Sequence, residues 1–206
     1  MNKIKILIAD DHSLMRVGLN ALFSHQKDMT VIGEACDGLE AVRLADSLDP
    51  DIIVMDLMMP KLDGAEATRR ILDVSPDSKI IILTSYGTSD DLVRAISNGV
   101  KGVMIKSDPI EEIVEAVRTV FAGGESFPRE VRQLVDETPK PAILTERQKE
   151  ILQSAARGLT TEDIAKQLDI SASCVLKHFT SIFRKLDVAN RTEAITVAVR
   201  KQLLRI

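Results

Sequence analysis

Residues 4–11 read IKILIADD, a short apolar run rich in isoleucine that ends in two aspartates. Two later runs end in a charged side chain in the same way: IIVM is followed by Asp56, and VMI is followed by Lys106. Short apolar runs without polar interruptions are typical of parallel strands buried on both faces. The sequence therefore predicts a parallel sheet with charged residues at the ends of several strands.

The charged residues at these strand ends should lie close together. Adjacent parallel strands present their carboxyl ends at one edge of the sheet, where open α/β folds place their ligands. Asp10, Asp11 and Asp56 would then converge, and three carboxylates at close range repel one another. A divalent cation bound by their oxygens is the natural explanation for such a cluster. Lys106 would supply a second positive charge.

Strand and helix patterns alternate as far as residue 122, which predicts an α/β fold with one doubly wound, five-stranded parallel sheet. The predicted strands are 4–9, 30–36, 51–56, 80–84 and 102–106. The predicted helices are 13–23, one that begins after Asp37, 64–72, 88–97 and 109–121. The first domain is thus predicted to span residues 1–122.

A linker and a smaller helical domain follow. Residues 123–141 contain two glycines and three prolines, which predicts a linker with one helical turn around Val131 to Val135. Residues 142–206 show no strand signal and contain helix starts at Thr145, Thr160, Ser171 and Asn190. A short helix, a tight turn and a longer helix within this stretch predict a helix-turn-helix.

The charges of the two predicted domains differ in sign. Residues 1–125 contain 13 Lys and Arg against 21 Asp and Glu, whereas residues 142–206 contain 11 against 7. We therefore expect only the second domain to contact a polyanion. The two cysteines lie in different domains, which argues against a disulfide framework. With no apolar run of membrane-spanning length and no signal-peptide pattern, we expect no membrane association and a cytoplasmic protein.

Four motifs occur in order at the predicted strand ends: Asp10-Asp11, DLMMPKLDG at residues 56–64, Thr84-Ser85, and Lys106. In these motifs residues 1–122 resemble the receiver domain of two-component response regulators. The resemblance implies a flavodoxin-like fold and a phosphorylation site. It implies that Asp56 accepts a phosphoryl group from a sensor histidine kinase.

The resemblance also implies a role for each neighbour of Asp56. Asp11, Asp56 and the backbone carbonyl of Met58 would hold Mg²⁺, with Asp10 in support.

Two more residues would act on the phosphoryl group itself. By the same resemblance, Lys106 would pair with its oxygens and Thr84 would donate a hydrogen bond to one of them. Phosphoryl transfer needs a nucleophile held in line and cations that neutralise the equatorial oxygens, so these residue types suit the chemistry.

Some positions depart from the receiver pattern. Val103 stands where many receivers have an aromatic residue that turns inward on phosphorylation, so signalling through packing is expected instead. Many receivers have proline directly after the lysine, whereas here Pro109 comes three residues after Lys106. Tyr86 is interpreted either as an exposed loop residue or as a lid over Asp56. We expect His12 to be a cap or surface residue, because imidazole suits Mg²⁺ poorly.

Residues 142–206 resemble the LuxR-type helix-turn-helix. The matching stretches include LTERQKEIL at residues 144–152 and NRTEA at residues 190–194. With the receiver, this resemblance places the chain in the NarL/FixJ class of bacterial transcription regulators, with double-stranded DNA as partner. In the recognition helix, the usual Thr-Val-Lys-x-His appears as CVLKH at residues 174–178, so Leu176 replaces a lysine.

The resemblance assigns two sets of DNA contacts. The groove-facing positions are Leu176, Lys177 and Thr180. The residues that approach phosphates are Lys166, Arg184, Lys185 and Arg191. Two other interpretations stay open at this point. These lysine and arginine side chains belong to a solvated helix face, or the divergent recognition helix no longer binds DNA.

The last predicted helix, Thr192 to Leu203, has a broad apolar face that includes Ile195, Val197, Ala198, Val199 and Leu203. Part of this face must cover the small helical core. In relatives this helix also carries a dimer contact, so a homodimer is expected on phosphorylation or on DNA.

Other protein classes fit the sequence less well. A dehalogenase-like phosphatase would need a second aspartate two residues after Asp56, where Met58 stands, so we do not expect an enzyme. A nucleotide-binding flavodoxin-like domain would need a glycine-rich phosphate loop, and the glycines form no such motif. The more serious alternative is a signalling adaptor that keeps the phosphoacceptor and acts through protein contacts without DNA.

Overall fold

The computed structural model describes residues 3–85, 90–137, 144–201, 203 and 204. The strands are β1 (Ile4–Ala9), β2 (Met29–Ala35), β3 (Ile52–Asp56), β4 (Ile80–Thr84) and β5 (Gly102–Ile105). The helices that alternate with these strands are α1 (Ser13–Ser24), α2 (Gly38–Leu48), α3 (Gly64–Val74), α4 (Asp90–Asn98) and α5 (Ile110–Phe121). The helices after the sheet are α6 (Arg129–Glu137), α7 (Glu146–Ala156), α8 (Thr161–Leu168), α9 (Ala172–Leu186) and α10 (Arg191–Arg200).

The five strands form one parallel sheet in the order β2-β1-β3-β4-β5. The doubly wound α/β fold predicted from the alternating pattern is therefore confirmed. The central strands are buried along their whole length, as their continuous apolar sequences require: every residue of β3 and β4 is buried. This order places the carboxyl ends of β1, β3, β4 and β5 side by side.

The chain forms two compact units. The first comprises Met1–Ile71 and Ser78–Lys140, and the second comprises Pro141–Ile206 with the short stretch Leu72–Asp77. The division at residue 140 lies close to the start of the predicted second domain. Among the described helices, none combines the length and the apolar character needed to cross a bilayer.

The second unit has its own apolar core, built from α7, α8, α9 and α10. Its larger buried side chains are Leu144, Ile151, Leu152, Ile164, Val175, Phe179, Ile182 and Leu186. The predicted caps of all four helices are present: Thr145, Thr160, Ser171 and Asn190 each accept a backbone N–H in the first turn. Local capping and helical periodicity therefore account for this unit.

The structure differs from the sequence prediction in the stretch after α5. Where one helical turn was predicted around Val131 to Val135, α6 spans Arg129–Glu137. Ahead of α6, Ser126 pairs with Gly102 at the edge of β5. Part of the predicted linker is therefore integral to the first unit. The helix begins ahead of the predicted turn because the Pro128 carbonyl accepts the backbone N–H groups of Val131 and Arg132, and the Val131 side chain is fully buried.

The last helix ends earlier than the sequence predicts. The last helix ends at Arg200 rather than Leu203, and its buried positions are Ala194 and Ala198, whereas Val199 is exposed. The buried pair is four residues apart and so lies on one helical face, and Val199 lies off that face. The predicted start of a helix at Thr88 and the predicted lid residue Tyr86 lie outside the described residues.

Candidate functional site

Four predicted site residues meet at the carboxyl edge of the sheet. Asp10 directly follows β1, Asp56 ends β3, Thr84 ends β4 and Lys106 directly follows β5. Asp10, Asp56 and Thr84 are almost completely buried. The sheet order brings them together because each lies at the same end of a neighbouring parallel strand.

Lys106 bridges the two buried carboxylates. Its Nζ lies 2.8 Å from Asp10 Oδ2 and 3.0 Å from Asp56 Oδ2. Burial alone would lower the pKa of Lys106, but the hydrogen bonds to Asp10 and Asp56 outweigh it and raise the pKa above its ordinary value. The side chain therefore stays an ammonium, and it can neutralise negative charge beside Asp56.

The pKa of Asp56 is also raised, but here burial is the cause. Burial raises its pKa, and the hydrogen bond from Lys106 only partly offsets that effect. The charge of Asp10 raises the pKa further, while the backbone N–H of Met58 donates to Asp56 and lowers it. Two buried carboxylates therefore share a single ammonium, and the ionised form of Asp56 is disfavoured unless further positive charge lies nearby.

Asp11 and His12 complete a cluster of possible metal ligands around Asp56. One ligand atom from each of Asp10, Asp11, His12 and Asp56 can be chosen so that all four lie within 4.8 Å of one another. His12 Nδ1 is 2.8 Å from Asp11 Oδ1, but the His12 side chain is 72% exposed. His12 occupies the N-cap position of α1 without a side-chain capping bond.

The composition of this cluster fits a hard divalent cation. Carboxylate oxygens predominate, as Mg²⁺ and Ca²⁺ prefer. Asp10 Oδ2 is buried, and apart from the nearby Lys106 ammonium no hydrogen bond of good geometry reaches it from the described residues. A buried carboxylate oxygen in this condition is destabilising unless further positive charge is available.

The loop that follows Asp56 is held tightly against β3. A Cβ on Gly64 would lie 2.2 Å from the backbone oxygen of Asp56, so only glycine fits there. Gly64 also donates its N–H to the Leu57 carbonyl at 2.8 Å. Asp63 caps α3 and pairs with Arg94 of α4 at 2.8 Å. Residues 56–64 are therefore fixed by glycine fit, capping and an ion pair, and the Met58 side chain is left 62% exposed.

The second unit contains the predicted helix-turn-helix. Thr160 and Asp163 form a capping box at the start of α8, and Asp169 closes that helix in the left-handed conformation with φ of 52°. Ser171 then caps α9 by accepting the backbone N–H of Cys174 at 3.1 Å. A short helix, a three-residue turn and a longer helix therefore follow one another as predicted.

The predicted DNA contacts all lie on this unit. Leu176 is 56% exposed on α9, although leucine is among the residue types most often buried in folded proteins. The other exposed members of the set are Lys166, Thr180, Arg184 and Lys185, and the half-buried members are Lys177 and Arg191.

Arg191 has a structural role that sequence reasoning missed. Its guanidinium donates to the carbonyls of Ala155 in α7 and of Leu159 just after that helix, and it lies 5.5 Å from the centre of the Phe179 ring. These groups lie far from Arg191 in the sequence, so no local sequence signal indicates the contacts. Lys185 similarly donates to the side chain of the buried Gln148 at 3.0 Å.

Comparison with known families accounts for both units. Residues 6–118 match the response regulator receiver domain, and residues 142–198 match the bacterial regulatory proteins of the luxR family. The chain belongs to the NarL/FixJ class of two-component response regulators. Members of this class are transcription regulators rather than enzymes. The receiver domain takes a phosphoryl group from a histidine kinase, and the LuxR-type domain binds DNA.

Individual relatives support this membership along the full chain. The response regulator is 40% identical to the transcriptional regulatory protein LiaR of Bacillus subtilis, with 98% of this chain and 99% of LiaR covered. It is similar to the crystal structure of ChrA, a response regulator in a heme-sensing two-component system, at 33% identity and a TM-score of 0.56, covering 99% of this chain and 100% of ChrA. A structure of RcsB in complex with DNA shares the fold at 24% identity and a TM-score of 0.60, covering 96% and 98% of the two chains.

Proposed function

We propose that Asp56 is the phosphoacceptor of this response regulator and that its modification controls the DNA-binding unit. The observation that carries the proposal is the position of Lys106, whose ammonium lies 3.0 Å from Asp56 and 2.8 Å from Asp10. A buried acid at a strand end, with a lysine beside it and two further acids around it, has the groups that phosphoryl transfer requires.

In the proposed reaction, a carboxylate oxygen of Asp56 attacks the phosphorus of a phosphohistidine on the kinase. An O–P bond forms, the P–N bond breaks, and the bonding electrons leave with the imidazole of the donor. Lys106 would then pair with the phosphoryl oxygens in place of the Asp56 carboxylate. Thr84 would donate its hydroxyl to one of those oxygens, because it ends the strand next to Asp56.

Magnesium is the cation we propose for the acidic cluster. Asp11, Asp56 and the backbone carbonyl of Met58 would hold it, with Asp10 in support. When bound, Mg²⁺ supplies positive charge that stabilises the phosphoryl oxygens during transfer. The excess of carboxylate over ammonium groups around Asp56, where Asp10 and Asp56 share the single Lys106 ammonium, supports this assignment.

The second unit is proposed to place α9 in the major groove of DNA. Leu176, Lys177 and Thr180 would face the groove, where the Leu176 side chain can contact a thymine methyl group. Lys166, Arg184, Lys185 and Arg191 would approach phosphates. For Arg191 and Lys185, the intramolecular bonds described above limit how far the side chains can reach.

We propose that the DNA-bound form is a homodimer and that the protein works in the cytoplasm. A two-fold dimer would place two α9 helices on half-sites about one helical turn apart. RcsB, which shares the fold, has been solved in complex with DNA. A histidine kinase's phosphoryl group and chromosomal DNA are both available in the cytoplasm.

A salt titration tests the DNA contacts against the adaptor alternative. We expect the phosphorylated chain to bind a mixed-sequence duplex with an affinity that falls steeply as salt rises. Lys166→Ala should reduce the magnitude of the slope of log K against log salt by about 1, since one phosphate contact is lost. Lys27→Ala, an exposed lysine of the first unit, is the control and should leave the slope unchanged. Absence of any binding at low salt would favour the adaptor.

The lifetime of the phosphoryl group should depend on Met58. Hydrolysis requires water in line with the Asp56 oxygen, and the exposed Met58 thioether cannot orient that water as an amide could. We therefore expect slow self-hydrolysis and faster decay in Met58→Asn, measured as loss of the adduct by intact mass after the donor is removed. Met58→Leu is the matched apolar control. Equal decay of wild type and Met58→Asn would contradict this account.

A further inference from the structure

The residues just after α5 form a short extension of the sheet. β5 is the edge strand, and Ser126 bridges Gly102 on its free side in the parallel direction. Ser126 donates its N–H to the Lys101 carbonyl at 3.0 Å, and Val103 donates its N–H to the Ser126 carbonyl at 2.9 Å. The start of the predicted linker is therefore hydrogen-bonded to the sheet.

β5, the strand to which Ser126 is hydrogen-bonded, ends beside the proposed phosphorylation site. Lys106 follows β5, and its backbone N–H donates to the Thr84 carbonyl at 2.7 Å. Val103 lies three residues earlier, about 10 Å along the strand. On one side β5 is thus bonded to the strand that ends in Thr84, and on the other it is bonded to Ser126.

On its other side, the Ser126 segment leads into α6. The carbonyl of Pro128 accepts the backbone N–H groups of Val131 and Arg132 at 3.0 Å, which forms the first turn of that helix. Val131 is fully buried, and α6 packs against α4. Only two residues separate Ser126 from the first residue of α6. A displacement of Ser126 should therefore also displace the start of α6.

We propose that the pairing of β5 with Ser126 transmits phosphorylation of Asp56 to α6. The inference rests on the proposed role of Asp56. Phosphorylation adds negative charge where Lys106 now pairs with two carboxylates, so Lys106 changes partners and the end of β5 shifts. Ser126 follows because two backbone hydrogen bonds tie it to that strand. Val103 is fully buried and has no ring to rotate, and the coupling instead runs through its backbone N–H.

Gly102 is the positioning residue for this pairing. A Cβ at this position would lie 2.9 Å from the backbone oxygen of Ser126, closer than real Cβ contacts allow. The next neighbours of that Cβ, two side-chain carbons of Ile81, would lie at 3.4 and 3.5 Å. Alanine at residue 102 would therefore force Ser126 away from β5 while disturbing β4 much less.

Hydrogen–deuterium exchange of the full chain tests the proposal. Wild type is treated with a small-molecule phosphodonor and Mg²⁺, and intact mass confirms the adduct. We expect exchange in peptides covering residues 122–132 to change by at least about fivefold on phosphorylation, the lower end of typical coupling between sites. A full adduct without a change in these peptides would overturn the inference. Absence of the adduct from wild type would overturn the proposed function, and the inference with it.

Variants then separate coupling from folding. In Gly102→Ala, residues 122–132 should exchange rapidly in both states, and the phosphorylation-dependent change should fall below about twofold while the adduct still forms. Ser126→Pro, which removes the N–H donor to Lys101, should behave in the same way. Ser126→Ala keeps both backbone bonds and should match wild type. If Gly102→Ala and Ser126→Pro both retain the wild-type change, the pairing does not carry the signal.

Discussion

The phosphorylated chain should bind its DNA site about 5- to 150-fold more tightly than the unmodified chain, the range typical of coupling between two sites. The reason is that Asp56 and α9 lie in separate compact units, so an effect of modification on DNA affinity is a coupling between two distinct sites. Affinity would be measured by fluorescence anisotropy at fixed salt, on a duplex selected from random-sequence DNA with the phosphorylated full chain.

Two controls define this coupling. Asp56→Ala, treated with the same phosphodonor, should keep the affinity of the unmodified chain. A truncated chain of residues 142–206 should bind the duplex whether or not the donor is present. Equal affinity and equal sedimentation of the phosphorylated and unmodified full chains would contradict the proposal that phosphorylation controls DNA binding.

Replacement of Asp11 by asparagine should weaken Mg²⁺ binding by about tenfold or more, because it removes one of three carboxylate charges around the proposed site. Since a ligand that binds only the folded state raises its stability, the shift of the melting temperature with Mg²⁺ concentration measures this affinity without any phosphorylation. Asp46→Asn, an exposed residue of α2, is the matched control and should keep the wild-type response.

The pH dependence of the same Mg²⁺ effect follows from Asp56. Burial raises its pKa in the folded state, so the folded protein holds this proton more tightly than the unfolded chain. Its contribution to stability is therefore present at low pH and is lost as pH rises through the raised pKa. Mg²⁺ competes with the proton and should stabilise the protein more at neutral than at mildly acidic pH. A shift that is the same at both, or unchanged in Asp11→Asn, would contradict the proposed site.

Much of the fold could be predicted because it depends on local patterns. Unbroken apolar runs such as residues 52–55 indicate buried parallel strands. Capping residues such as Thr160 and Ser171 directly precede the helices whose starts they predict. The clustering of Asp10 and Asp56 also follows from sequence, because topology places the ends of adjacent parallel strands together.

What the sequence did not show depends on single contacts between distant segments. The pairing of Ser126 with Gly102 involves one residue on each side and leaves no periodic pattern. The bonds from Arg191 to the carbonyls of Ala155 and Leu159 likewise have no local signal. Val199 is predicted on the apolar face of the last helix but is exposed, whereas Ile195, Val197, Ala198 and Leu203 of the same predicted face do contact the core.

The most direct test of the central claim is the mass and location of the phosphoryl adduct. The full chain is incubated with a small-molecule phosphodonor, with Mg²⁺ or with excess chelator, and its intact mass is followed by peptide mapping. We predict one phosphoryl group per chain, on Asp56, formed only with Mg²⁺ and absent from Asp56→Ala. A full adduct in chelator, or on Asp56→Ala, would contradict the account.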